Sequence, residues 1–205
     1  MDELKKCALF YQKLLNKDYL ITVAATSNTP NMTLCLNFGA EHFHHLLGLG
    51  KLKDIPFVYR MNRTRFFHDI LNDKITFNTI SSSSYFLDIA DRFAAFEHYI
   101  DIMNNDIVLN FDKKKPYYCT IDANLLFYKP IGTDYLHSFF KSQENGIYIP
   151  VTFFPRSNKD KIYIDRQKVL KIVNIEIKDK FKEFENTPSK TIAYPPIKKT
   201  NEFER

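Results

Sequence analysis

Tryptophan is absent from these 205 residues, glycine occurs only five times and cysteine three, and nowhere do eighteen apolar residues run together. Each shortage removes a class of protein. Cys7, Cys35 and Cys119 are an odd number, widely spaced and without CxxC or Cys/His ligand spacing, so neither a disulfide framework nor a zinc site is indicated. All three are expected to be reduced and buried. Lacking a long apolar run, the chain is expected to have no membrane span, and the stretch MDELKKCALFYQKLL scatters its charges as a signal peptide does not. The expected compartment is the cytoplasm. The glycines form no GxGxxG or Walker loop, and HExxH, GxSxG and kinase signatures are missing as well, which leaves the familiar nucleotide, zinc-protease and hydrolase readings without support.

What the chain does have is aromatic weight. Nineteen Phe and twelve Tyr, within 44% hydrophobic residues, suit one aromatic-rich core, and the length fits the range of about 50 to 250 residues of a single domain. The net charge is +5, of which +1 falls in residues 1–100 and +4 in the remainder. A modest positive balance favours phosphate-bearing partners without selecting one.

Helical periodicity dominates the first half. Leu4, Cys7, Ala8, Tyr11, Leu14, Leu15 and Tyr19 predict an amphipathic helix over residues 2–19, followed by a loop and a short strand over residues 32–38. A short helix carrying His42, His44 and His45 is expected to end near Gly48. Residues 62–80 read as helical with a break at Asn72 and Asp73, and serines 81–84 cap a further helix to about Asn104 whose face runs Phe86, Ile89, Ala90, Phe93, Glu97, Ile100 and Met103. From residue 106 the period becomes two, in IVLNF, LLFYK, IYIPVTFF, KIYI and VLKIVNIEI, with KKKP, NG and SNKD turns between them. The expected fold is therefore α+β, with N-terminal helices packed on a C-terminal antiparallel β-sheet. Residues 1–186 form one domain in this reading. Residues 187–205, with three prolines and the apolar Ile192, Tyr194, Ile197 and Phe203, form an extended tail that either docks on a sheet edge or stays solvated.

Several side chains have chemistry to offer. Imidazole both takes and gives a proton near neutral pH, and His42 and His45 share a helical face that His44 does not. The competing reading is a histidine that caps or fills the core while the others are solvated. Thr152 interrupts an otherwise nonpolar strand face with Tyr148, Pro150 and Phe154, either as a site residue or as an ordinary strand former. Arg156 at the strand end suits a phosphate or plain surface, residues 113–115 read as a solvated turn, and Lys51, Lys129 and Lys141 each follow an apolar segment that could aim them at a groove. No third or fourth ligand at usual spacing accompanies the histidines, so no metal and no cofactor are expected.

The segment FHHLLGLGKL carries a resemblance. Phe43, His45, Leu46 and Gly48, followed by Lys51, match an F-x-H-L-x-G pattern and resemble the fourth phage-type family of the barnase, EndoU, colicin and RelE-like nuclease superfamily. The order of the later elements agrees over about residues 1–175, including the YIPVTFF-type strand. The resemblance implies a small α+β ribonuclease or toxin of phage or mobile-element type that cleaves RNA without metal. It further implies His45 as acid/base, with Lys51, Thr152 and Arg156 as partners, while His42 and His44 lie outside the pattern. The RNA 2′-OH would attack phosphorus once His45 removes its proton, Lys51 or Arg156 would offset phosphoryl charge, Thr152 would hydrogen-bond an oxygen, and Tyr128 or Tyr148 would stack a base. RNA is then the partner, with an antitoxin or immunity protein as a second. The rival readings are a catalytically silent nucleic-acid- or protein-binding module on the same fold, and a phage structural protein with core histidines.

Overall fold

The computed structural model describes residues 1–24 and 30–180. The proposed tail lies outside them. Helix α1 (Glu3–Gln12) starts where Asp2 accepts from the Lys5 amide at 3.0 Å, and the same carboxylate takes the Phe77 amide at 2.7 Å. One side chain thus ties two helix starts together. The helix buries Leu4, Cys7, Ala8 and Tyr11 and then stops well short of the expected Tyr19. Asn16 takes a left-handed φ of 59°, and β1 (Lys17–Ala24) begins, rich in the β-branched and aromatic residues that suit strands.

The other helical elements are α2 (Phe43–Leu46), α3 (Pro56–Arg60), α4 (Arg63–Leu71), α5 (Phe77–Ser81) and α6 (Ala90–Ala95). The break expected at Asn72 and Asp73 separates α4 from α5, and Asp73 has a φ of 59°. The long helix expected to reach Asn104 is instead cut into α6 and tight turns at Phe86–Asp88, Phe96–His98 and Ile100–Asn104. The reason is visible in spacing. Phe93, Phe96, Tyr99 and Ile102 are all buried at intervals of three, the 3₁₀ period, and the Phe96 and Tyr99 rings stack with centroids 5.2 Å apart. Glu97, placed on the apolar face by the helical reading, is exposed and meets Lys6 at 3.3 Å.

Seven strands make a closed barrel in the order β1-β2-β6-β5-β4-β3-β7, with β7 returning to β1. They are β1, β2 (Met32–Asn37), β3 (Ile107–Asn110), β4 (Leu125–Ile131), β5 (Asp134–Ser142), β6 (Ile147–Ser157) and β7 (Lys168–Asp179). This corrects the expected architecture. Two strands come from the first half of the chain, and β2 pairs with β6 in parallel through Cys35 opposite Ile147 and Leu36 opposite Tyr148, while the remaining pairs are antiparallel. KIYI forms turns rather than a strand, and β5 lay outside the runs of period two because its centre is buried on both faces, which erases alternation.

Both faces of the β4–β5–β6 region are indeed covered. Leu125, Phe127, Phe140 and Phe153 join the main core with Tyr11, Phe43, Phe96 and Tyr99 from the helical half. On the other face Leu109, Phe111, Leu126 and Phe139 form a second cluster under Cys119, Tyr163 and Ile164. Ordinary strand alternation sends the neighbouring Phe139 and Phe140 rings to opposite sides, and the register shift beside them leaves Val151 of β6 unpaired. No described helix is long and apolar enough to cross a membrane.

Phe153 is the strand residue that meets the helical half most directly, with its ring 5.2 Å from Tyr99 and 5.7 Å from Phe96. Phe153→Ala is expected to destabilise the fold by about 3–5 kcal/mol. Urea unfolding monitored by circular dichroism measures it, and a loss below about 1 kcal/mol would mean that the core collapses around the gap.

Candidate active-site groove

Helix α2 spans barely one turn, yet its two histidines and the one just before it diverge completely. Phe43 and Leu46 are fully buried in the main core, which turns His45 outward. His44 points inward, its Nε2 2.9 Å from the Val58 carbonyl and its ring against Phe66, so this histidine fills the core. His42 precedes the helix, and its Nδ1 accepts from the Gly39 amide at 3.0 Å. That bond places the neutral imidazole's proton on Nε2, 3.5 Å from Glu41 Oε1.

Gly48 ends the segment with a φ of 72°, where a side chain is strained and also obstructed. A Cβ there would sit 2.9 Å from Ile89 Cγ2 and 3.0 Å from Arg92 Cζ. Arg92 explains the crowding. It is only 8% exposed, and its Nη1 donates to the carbonyls of Leu46 (3.2 Å) and His45 (3.4 Å) and to Thr152 Oγ1 (3.4 Å). No carboxylate lies within 4.0 Å of it among the described residues. The guanidinium also sits 5.8 Å from the Phe154 ring. One buried cation therefore joins the end of α2 to β6.

Beside this junction runs a groove of about 580 Å³ lined by Glu41, His42, His45 and Arg63 on one side and by Thr120, Ile121, Asp122, Lys141 and residues 149–152 on the other. His45, Thr152 and Lys141 are thus brought together. Because Thr152 Oγ1 accepts from Arg92, its own proton is free to be donated into the groove. Lys141 and Lys113 both pair with Asp122, at 2.5 and 3.1 Å, and these ammonium groups hold its carboxyl below the usual range. Burial against the groove walls, helped by Arg63 and the two neighbouring histidines, lowers the His45 pKa to about 4. His42 is lowered as well, by burial and by Arg63 against the opposing pull of Glu41. Both imidazoles are neutral at pH 7.

The other candidates lie elsewhere. Lys51 Nζ donates to the Asp88 carbonyl at 3.2 Å, and Arg156 pairs with Asp160 at 2.5 Å with its guanidinium over Tyr163. Tyr128 packs on the second cluster 5.7 Å from Tyr135, and Lys129 reaches the Asp101 carbonyl at 3.4 Å. Tyr148 lines a separate cavity of about 250 Å³ with Val23, Leu125 and Leu170. Arg63, Arg92 and Asp122 were not singled out in the sequence. A signal existed for Arg92, since it stands three after Ile89 and four before Phe96, a cation on the apolar stripe. Among the described residues no three His, Cys, Asp or Glu side chains gather where they could hold a metal ion.

Two outcomes follow from this geometry. Gly48→Ala is expected to cost about 1–3 kcal/mol in urea unfolding, because both backbone and Arg92 must shift; unchanged stability would show that the turn relaxes freely. In an NMR titration His45 should stay neutral down to about pH 4, and inorganic phosphate should raise its midpoint, since an anion in the groove favours the imidazolium. An ordinary midpoint near 6.5, unmoved by phosphate, would contradict the electrostatics described.

The family model described as phage-Barnase-EndoU-ColicinE5/D-RelE like nuclease4 matches residues 3–191. No curated protein and no solved structure matches the chain. With nearly all of its length under that one family model, and His45 of the F-x-H-L-x-G segment lining the groove, the chain belongs to the fourth family of phage-type barnase/EndoU/colicin/RelE-like nucleases.

Proposed function

We propose that this nuclease-family chain is an endoribonuclease that cleaves by attack of the RNA 2′-OH and needs no metal. The convergence of His45, Thr152 and Lys141 in one groove, with Arg63 at its margin, carries the reading. Metal independence is proposed because no three-ligand group is present among the described residues.

The proton inventory sets the roles. Neutral His45 takes the 2′-OH proton as O2′ attacks phosphorus, and the resulting imidazolium returns a proton to the 5′ oxygen as the P–O5′ bond breaks. The products are a 2′,3′-cyclic phosphate and a 5′-hydroxyl end. His42 Nε2–H and the Thr152 hydroxyl donate to the phosphoryl oxygens, where charge grows in the transition state. Arg63 and Lys141 add positive charge, the latter after exchanging part of its contact with Asp122 for phosphate. A pKa of about 4 in the empty groove would make His45 a weak base. A bound phosphate raises it toward neutrality, where a general base is most effective. The kcat profile therefore has an acid limb at higher pH than that of kcat/KM.

As a toxin of phage or mobile-element type acting in the cytoplasm, the protein would require an antitoxin or immunity partner that occludes this groove. Labelled RNA incubated with purified protein in EDTA tests the central claim. Wild type is expected to cut, and His45→Ala to lose at least about 100-fold in rate while remaining folded, the usual scale of a general acid–base contribution. Full activity in a folded His45→Ala variant removes this mechanism, and dependence on added Mg²⁺ or Mn²⁺ points to another class. Binding of RNA without cleavage in any condition would favour the binding-module reading.

A further inference from the structure

The loop between β3 and β4 holds two tyrosines in an unusual state. Tyr117 is 88% exposed and Tyr118 is 96% exposed, with ring centroids 6.0 Å apart. A tyrosine gives up much of its apolar value in that position. The loop on either side of them is held in place. Phe111 is buried, the Asp112 amide donates to Gln167 Oε1 at 2.8 Å, and Gln167 Nε2 returns a bond to the Asp112 carbonyl at 3.3 Å. Pro116 is buried and Cys119 packs on the second cluster, so the two residues between them are left to project outward. Tyr118 does so with a φ of 51°, a conformation that a bulky residue adopts at a cost.

The place where these rings stand gives them a use. Thr120, Ile121 and Asp122 line the groove, and two residues of chain span at most about 7 Å, so the Tyr118 backbone lies within that distance of the groove wall. Lys113, Lys114 and Lys115 precede the rings and are exposed, with Lys113 on Asp122 and Lys115 on the Arg166 carbonyl at 2.6 Å. Positive charge along a path with open aromatic faces is the combination that binds single-stranded nucleic acid, since phosphates meet the cations and bases stack on the rings.

We propose that Tyr117 and Tyr118 form a stacking platform that takes unpaired bases of the RNA strand outside the scissile step, with the lysines before them following its phosphates. This rests on the nuclease reading of the groove and extends it to a substrate class, single-stranded RNA longer than a dinucleotide. Tyr128 and Tyr148 leave this role open, one packed on the second cluster and the other lining a separate cavity.

The test uses the full chain carrying His45→Ala, so that binding is read without turnover. A fluorescent twelve-nucleotide RNA is titrated and followed by anisotropy. Adding Tyr117→Ala and Tyr118→Ala is expected to weaken binding on the order of 5-fold or more, as loss of base stacking does, with an unchanged melting temperature. Phe at both positions should restore affinity, because stacking needs the ring and not the hydroxyl. A dinucleotide should bind all variants alike. Unchanged affinity in the Ala variant, an equal loss on the dinucleotide or on a blunt RNA duplex, or no RNA binding at all would overturn the proposal. Wild-type cleavage is scored separately. Tyrosine-dependent binding without cleavage would sink the nuclease mechanism alone, and cleavage with tyrosine-independent binding would sink the platform alone.

Discussion

A guanidinium buried without a carboxylate is costly unless it finds acceptors, and Arg92 Nη1 finds them on the backbone of the very turn that carries His45. The rest of the groove depends on that arrangement. Arg92 fixes the carbonyls of His45 and Leu46, holds Thr152 Oγ1, and leaves no room for a side chain at Gly48. The histidine-bearing turn and the β6 strand are thereby registered against each other by one side chain, although they lie about a hundred residues apart in the sequence.

This gives the F-x-H-L-x-G pattern a physical meaning. Phe43 and Leu46 anchor the turn in the core, His45 is what remains facing out, and Gly48 lets the chain turn left-handed beside the guanidinium. A helix of four residues has little intrinsic stability, so nearly all of its order comes from such contacts. Electrostatics follow from the same packing. The groove gathers Arg63, the Lys141–Asp122 pair and two neutral imidazoles, a set whose protonation responds to an arriving anion.

How much of this was legible beforehand depended on range. Local signals read well: the end of α2 at Gly48, the break at Asn72 and Asp73, and the period-two strands β3, β4, β6 and β7. Signals that need a partner did not. Residues 17–19 continue the helical spacing of α1 until β2 and β7 are available to pair with the strand they open, and nothing local announces that β2 will run parallel to β6 and close a barrel. β5 hides because it is covered on both sides, and the segment before β3 hides because a three-residue spacing differs little from helical spacing over so few turns. In the groove, His45, Thr152 and Lys141 could be named from the sequence, whereas Arg92 and Arg63 acquire meaning only once β6 and α4 are placed.

Barrel closure carries one more consequence. A strand with unpaired amides and carbonyls invites another chain to add itself alongside, and many protein contacts are made that way. Here β7 returns to β1 and the described strands complete a ring. Beyond Tyr148, however, β6 has no second strand beside it among the described residues, and residues 149–152 line the groove, so a protein that blocks it would meet a stretch of strand edge as well as the charges of Arg63 and Lys141.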